Sequence, residues 1–213
     1  MKKLYRILVV IAFVLFLLLV RFVSEIEQDR APNERFKIAG IIDGDTFILS
    51  GGDRLRLLGI DCPEKGEPYY DSAVHYVESM ALGQMARVVY SHRQRDRYGR
   101  LLGYVFIDDT VFVNAAIIRN GLAYVYLFDD NLADSGSVTA LIRAQNEAIE
   151  SKRGIWSIAR APEPFYVASK RSHRFHRPEC QSAAKYNLDD WIRFDTREEA
   201  FRLGYSPCRN CRP

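Results

Sequence analysis

The chain carries little net charge: 30 lysines and arginines stand against 27 aspartates and glutamates over 213 residues, a formal charge of +3. So weak a bias excludes holding a polyanion by bulk charge alone, and any such site must come from local placement. Cysteine is scarce too, with four in the chain, and Cys180, Cys208 and Cys211 all fall near its end. Three neighbouring cysteines cannot all pair with one another, which weighs against a segment held by disulfides alone. The apolar run Ile7 to Val20 lacks an amphipathic stripe, and Phe22-Val23-Ser24 after it lacks the small residues of a cleavage site. The run is short for a full membrane span but workable with its flanks, where long side chains can snorkel. Lys2, Lys3 and Arg6 precede it, which keeps that end in the cytoplasm. Residues 1–34 are therefore expected to be an uncleaved signal anchor, a membrane helix with a polar tether, with the rest facing outside the cytoplasm. The alternative is secretion after cleavage.

From Phe36 the pattern is that of short strands: Phe36 to Ile41, Thr46 to Ser50 and Asp53 to Leu58, with Gly51-Gly52 as a two-residue hairpin signal. Asp71 or Ser72 can cap a helix reaching about Leu82, with Gly83 as its stop. Strands follow at Ala86 to Tyr90 and Leu101 to Ile107, with a turn at Asp108-Asp109. Asn114 can cap a short helix to Arg119, and Ser137 a longer one from Val138 to Lys152. Short antiparallel strands with inserted helices predict an α+β domain built on a small barrel.

Chemistry concentrates between Ile42 and Arg100. Asp43 and Asp45 are two apart, so on an extended strand their carboxylates share a face. Asp61 and Glu64 end the next apolar run at a proline break, where carbonyls such as that of Cys62 become available as ligands. Clustered hard oxygens suit a calcium-type ion, which takes about six to eight of them. Arg56 inside that run and Arg100 at the end of Asp96-Arg97-Tyr98-Gly99-Arg100 suit phosphate, whose oxygens the guanidinium fork matches bidentately. A leftover carboxylate would serve as general base. The combination points to metal-assisted hydrolysis of a phosphodiester.

The ordered set Ile-Asp-Gly-Asp-Thr, Arg-Leu-Leu-Gly-Ile-Asp-Cys-Pro-Glu, Asp-Arg-Tyr-Gly-Arg, Gly-Leu-Ala-Tyr-Val-Tyr and Gly-Ile-Trp, spanning about Phe36 to Trp156, resembles the thermonuclease (staphylococcal-nuclease-like) family. The resemblance implies a five-stranded OB-type barrel with three helices. It further implies that Asp45, Asp61 and the Cys62 carbonyl hold one catalytic Ca2+, with Asp43 close by. Glu64 would be the general base, and Arg56 and Arg100 would clamp the scissile phosphate and stabilise its growing charge. Tyr124 and Tyr126 fall where the family contacts the nucleotide, and Tyr98 and Arg97 would add to the substrate-binding set; barrel-rim packing is the competing reading for the tyrosines. Cys62 stands where the family often has Thr, and Arg97 where Lys is common.

After Trp156 the composition shifts. Pro162 and Pro164 stiffen a stretch over 159–165, expected to link a nuclease-like domain at 35–158 to a C-terminal module at 166–213. His176-x-x-x-Cys180 and Cys208-x-x-Cys211 supply four ligands in two short pairs, as a tetrahedral structural Zn2+ requires, with His173 as an alternative first ligand and disulfides as the competing reading. Between them Thr196-x-x-Glu199 is a capping box opening a short helix, with Gly204 to end it. The stretch from Tyr166 resembles the metal-binding domain of the Ada DNA-repair protein. With His176 at the first ligand position, a structural or DNA-docking zinc is expected rather than alkyl acceptance. Lys170, Arg171, Arg174, Arg177, Arg209 and Arg212 could meet phosphates, with a solvated face as the competing reading. Two functions remain open: a membrane-anchored, calcium-dependent nuclease acting on DNA, RNA or both, and a non-catalytic nucleic-acid-binding protein with a nuclease-like barrel. Asp45, Arg56, Asp61, Glu64 and Arg100 are all present, which favours the first.

Overall fold

A computed structural model of the chain describes residues 13, 15, 34–128, 134–169, 172–185 and 191–213. The chain divides into two units, Met1–Asn33 and Glu34–Pro213. In the first, Phe13 and Leu15 are helical and exposed; the rest of the expected membrane helix lies outside the described residues. Among the described residues no helix is long and apolar enough to cross a membrane.

The second unit opens with a barrel. Strands β1 (Glu34–Asp43), β2 (Thr46–Leu49) and β3 (Arg54–Leu57) form a meander, followed by the two-residue β4 (Ile60–Asp61). Strands β5 (Met85–Arg95) and β6 (Leu101–Ile107) complete it, and β7 (Val111–Phe112) adds to its edge. The order β3-β2-β1-β5-β6 closes on itself because β3 also pairs with β6, in parallel, Leu55 opposite Leu101 and Leu57 opposite Gly103. Five strands thus form a closed barrel, which leaves no open edge among them. Ile38, Phe47, Leu49, Leu55, Leu57, Val88 and Val105 fill it, each at most 1% exposed.

Helices α1 (Tyr70–Ala81), α2 (Val113–Arg119) and α3 (Ser135–Glu150) surround the barrel. Helix α1 buries Ala73, Val77 and Ala81, and it starts after Tyr69 in the left-handed conformation with no side-chain cap, not at Asp71 or Ser72. Helix α3 is capped by Asp134, whose carboxylate accepts from the Ser137 amide at 3.1 Å, rather than by Ser137 itself. Asn114 is not a cap. It is fully buried inside α2, accepting from the Val105 amide at 3.0 Å and donating to the Leu58 carbonyl at 2.8 Å. The Gly51-Gly52 segment is part of a longer connection, residues 50–53, and not a two-residue hairpin. Gly121, at φ +68°, lies against Arg153 so closely that a Cβ would sit 2.1 Å from the Arg153 carbonyl oxygen, which ties the end of α2 to the turn after α3.

Beyond the 3-10 turn Gly154–Ser157 the chain builds a four-stranded sheet in the order β11-β9-β10-β12: β9 (Tyr166–Ser169), β10 (Arg174–His176), β11 (Trp191–Phe194) and β12 (Ser206–Pro207), where β8 is Tyr124–Val125 of the barrel unit. Helix α4 (Arg197–Arg202) follows β11, and half of the expected capping box is formed: the Glu199 amide donates to Thr196 Oγ1 at 3.1 Å, while the Glu199 carboxylate accepts from the Asp195 amide at 2.9 Å. This module shares a core with the helices of the barrel. Ile149 of α3 is buried with Phe175, Phe194 and Phe201, and Trp156 meets Phe201 edge-on at 4.7 Å. Gln145, fully buried in α3, bridges the two parts, accepting from the Val125 amide at 2.7 Å and donating to the Phe201 carbonyl at 2.5 Å.

Candidate active site

Asp43 ends β1 and Asp45 belongs to the two-residue turn before β2, so the pair converges through a turn rather than along one strand face. The Asp45 amide donates to Asp43 Oδ1 at 3.1 Å, the self-bonded turn that aspartate favours. Gly44 between them is packed so tightly that a Cβ would meet Cys62 Sγ at 2.8 Å and the Ala73 methyl at 2.9 Å. The turn therefore rests directly on the Cys62 strand end and on α1.

Opposite it, β4 pairs with β8, Asp61 facing Tyr124. This places Asp61 beside Asp45, and one arginine nitrogen joins them: Arg56 Nη2 lies 3.0 Å from Asp45 Oδ2 and 2.9 Å from Asp61 Oδ1, while Nη1 donates to the Leu57 carbonyl at 2.8 Å. Both carboxylates are buried, at 7% and 5% exposure. Asp45 also accepts from Thr46 Oγ1 and from the Cys62 amide, at 3.1 and 3.0 Å. Burial pushes the Asp45 carboxyl up to about 7, with Asp43 and Asp61 adding to it, although Arg56 opposes the rise. A pocket of carboxylates that one guanidinium does not neutralise is a donor set to which a further cation could bind. Burial raises the Cys62 thiol well above its usual range, so it stays protonated and only its backbone is available as a ligand.

A cavity of about 260 Å³ adjoins the acids, lined among others by Arg56, Arg93, Asp96, Arg100, Tyr126 and Arg209. Arg100 Nε donates to Asp96 Oδ2 at 2.8 Å. Burial works against the Asp96 charge, but Arg100 and the Tyr98 amide outweigh it and hold that carboxyl below its usual range. Arg97 stacks on the exposed Tyr98 ring at 4.8 Å. Glu64 is exposed on the segment after β4, its amide held by Glu67 Oε2 at 2.9 Å. Tyr124 donates to Asp61 Oδ2 at 2.9 Å, and Tyr126 lies under the Arg174 guanidinium at 3.8 Å. Of the sequence-derived residues the fold thus brings Asp43, Asp45, Arg56, Asp61, Cys62, Arg100, Tyr124 and Tyr126 together, with Glu64, Arg97 and Tyr98 at the edge.

One further participant comes from the basic side chains of the C-terminal module. Arg209, from the C-terminal module, places Nη2 3.0 and 3.1 Å from the two Asp61 oxygens. Its position between Cys208 and Cys211 was the available signal, yet nothing in the sequence says which face of the barrel that loop meets.

The second cluster lies in the module. Parallel pairing of β10 with β12, Phe175 opposite Pro207, carries His176 and Cys208 forward side by side. Ligand atoms of His176, Cys180, Cys208 and Cys211 all lie within 4.8 Å of one another, and His176 Nδ1 is 3.4 Å from Cys180 Sγ. His173 instead stacks near Tyr205 at 5.8 Å. All four cysteines of the chain are thiols without disulfides. Sulfurs bound to one tetrahedral zinc lie about 3.8 Å apart, from Zn–S bonds of about 2.3 Å, so the set needs only a small contraction to fit. Burial lowers the His176 pKa, which keeps the imidazole neutral as a ligand must be. Burial raises the Cys180 thiol, but hydrogen bonds from Cys211 and the Ser182 and Ala183 amides outweigh it and bring its pKa down.

Comparison with known proteins agrees with this geometry. Residues 54–158 match the family model described as staphylococcal nuclease homologue, and residues 157–213 match the metal binding domain of Ada. An uncharacterized endonuclease of Escherichia coli O157:H7 is 36% identical over 132 residues, covering 61% of this chain and 81% of that protein. The chain belongs to the staphylococcal nuclease family. The thermonuclease of Staphylococcus hyicus is 28% identical over 172 residues, 74% of this chain and 99% of its own, and the micrococcal nuclease of Shigella flexneri is 28% identical over 142, 62% and 78%. The family places this member among the phosphodiester-hydrolysing nucleases, and its second match identifies the His/Cys cluster as part of a metal-binding domain.

Proposed function

We propose that the protein is a calcium-dependent nuclease that cleaves DNA, RNA or both, with a structural zinc in its C-terminal module. The observation that carries this reading is the convergence of buried Asp45 and Asp61 on Arg56 beside a cavity that Arg100 also lines. Asp45, Asp61 and the Cys62 carbonyl would hold the ion, with Asp43 behind them, and a bound calcium would supply positive charge against a phosphodiester oxygen. Arg56 and Arg100 would present their donors to the phosphate from the cavity that both line. Fixed guanidinium charge favours the pentacoordinate arrangement, which is more negative than the ground state, and so lowers the barrier. Glu64, exposed and next to the acids in sequence, would take the proton from the attacking water. His176, Cys180, Cys208 and Cys211 would hold the zinc. The apolar run Ile7 to Val20 with its basic flank supports a membrane anchor that leaves the enzyme outside the cytoplasm, where calcium is abundant.

The test is incubation of the purified full chain with labelled DNA and RNA, with calcium or with a chelator. Cleavage should require calcium, and Glu64→Gln should lower turnover by roughly 10²–10⁴ while the fold persists. Arg56→Ala or Arg100→Ala should cost about 10² or more. Full activity in excess chelator would remove the calcium assignment; binding without cleavage under every condition would instead favour a nucleic-acid-binding protein.

A further inference from the structure

We infer that Arg209 of the zinc module is a substrate-phosphate residue of the nuclease site, so that the module completes the site rather than standing beside it. The inference deepens the nuclease reading and rests on it. Arg209 lies between two residues of the His/Cys cluster, so a metal bound there fixes its backbone directly. Its guanidinium reaches Asp61 at 3.0 Å and lines the same cavity as Arg56 and Arg100. It also lies 5.2 Å from the Tyr126 ring, whose nearer guanidinium neighbour is Arg174 at 3.8 Å.

Two features argue against a purely structural ion pair. The Arg209 side chain is 62% exposed while Asp61 is 7% exposed, so the guanidinium stays largely open to solvent where it lines the cavity. Asp61 is moreover already supplied by Arg56 and by the Tyr124 hydroxyl, at 2.9 Å each. A third donor is surplus for holding one carboxylate in place, but a guanidinium with open donors at the mouth of an arginine-lined cavity suits a phosphate oxygen. A cation on Asp61 would compete with Arg209 for that carboxylate and turn the guanidinium toward the anion entering beside it. The backbone joining the module to the barrel is firm enough to hold this arrangement. Ser206 Oγ donates to the Val125 carbonyl at 2.9 Å, and Arg174 Nη1 donates to the Leu127 carbonyl at 2.8 Å.

The experiment compares Arg209→Gln and Arg209→Lys with the parent, as full chains, each also in the Glu64→Gln background so that substrate persists. Anisotropy of a fluorescein-labelled single-stranded oligonucleotide with calcium present gives Kd as a function of salt. Losing one charge-assisted phosphate contact should weaken binding about tenfold. It should also flatten the slope of log Kd on log salt by about 0.7, the value of one phosphate contact on a single strand. Arg209→Lys should recover part of both. In the active background KM should rise with kcat little changed, and zinc content should stay that of the parent, which shows the module folded. Unchanged Kd and slope in Arg209→Gln would overturn the inference, as would tighter calcium binding with no change toward the oligonucleotide, the mark of a residue that only shields Asp61. Failure of the parent to cleave any nucleic acid would instead overturn the nuclease reading, and the binding comparison would still decide Arg209.

Discussion

Gln145→Leu should destabilise the whole of residues 34–213, not one part of it. The side chain is fully buried, and its two ends hold a barrel amide (Val125) and a module carbonyl (Phe201) at 2.7 and 2.5 Å. Leucine keeps most of the volume but offers neither acceptor nor donor, so the buried Val125 amide loses its partner, while the Phe201 carbonyl keeps the Gly204 amide at 2.9 Å. One orphaned group costs about 1–3 kcal/mol. With a urea m-value of about 2 kcal/mol/M for a domain of this size, the unfolding midpoint should fall by about 0.5–1.5 M. Urea titration followed by far-UV circular dichroism and by tryptophan fluorescence reads both sides of the seam, since Trp156 packs on Phe201 and Trp191 lies in the module. The two signals should move together. A loss under about 0.5 kcal/mol, or a shift confined to one of two separate transitions, would refute the claim that barrel and module share one core.

Two further outcomes follow from the same geometry. Gly44→Ala forces a methyl to 2.8 Å from Cys62 Sγ and 2.9 Å from Ala73 Cβ. It should cost about 1–3 kcal/mol by overpacking and raise the calcium concentration needed for cleavage, and wild-type values in both denaturation and activation curves would contradict it. Acidification should release zinc and loosen the module. The His176 pKa is depressed by burial, so the unfolded chain takes up that proton first; stability is full above the ordinary histidine value near 6.5 and falls as pH drops below it, with protonation of the thiolates adding to the loss. Zinc release monitored with a chromogenic chelator between pH 7 and 4 checks this, and retention of the metal at pH 4 would exclude it.

Most of the barrel strands were legible because short apolar runs rich in β-branched and aromatic residues could be placed by the turn residues between them. The parallel β3–β6 closure was not legible, since no local pattern encodes a pairing between Leu55 and Leu101. Helix starts were read less well, for a physical reason. Asn114 looks like a cap because asparagine satisfies exposed amides, but here it satisfies a buried amide and a buried carbonyl from two other segments. Asp43 and Asp45 illustrate the same limit: their proximity was legible, but it arises in a turn stabilised by Asp43 itself and by the absent side chain of Gly44. The acids and arginines were found because metal and phosphate chemistry restrict residue type strongly. Arg209 was legible only as one of several module basics able to meet a phosphate; that it faces Asp61 depends on how two separately encoded segments dock.

That docking changes what the aromatic residues of the site can do. Tyr124 and Tyr126 were expected near a nucleotide base, where an open ring face is needed for stacking. In the folded chain the Tyr124 ring meets Phe201 of the module at 5.8 Å, and its hydroxyl is spent on Asp61. Burial raises the pKa of that hydroxyl far above the ordinary phenol value, with Asp61 adding to it, so Tyr124 remains a donor to the carboxylate at any pH where the protein is folded. Tyr126 has Arg174 against it at 3.8 Å. The module therefore occupies space over the barrel aromatics and puts guanidinium groups in their place.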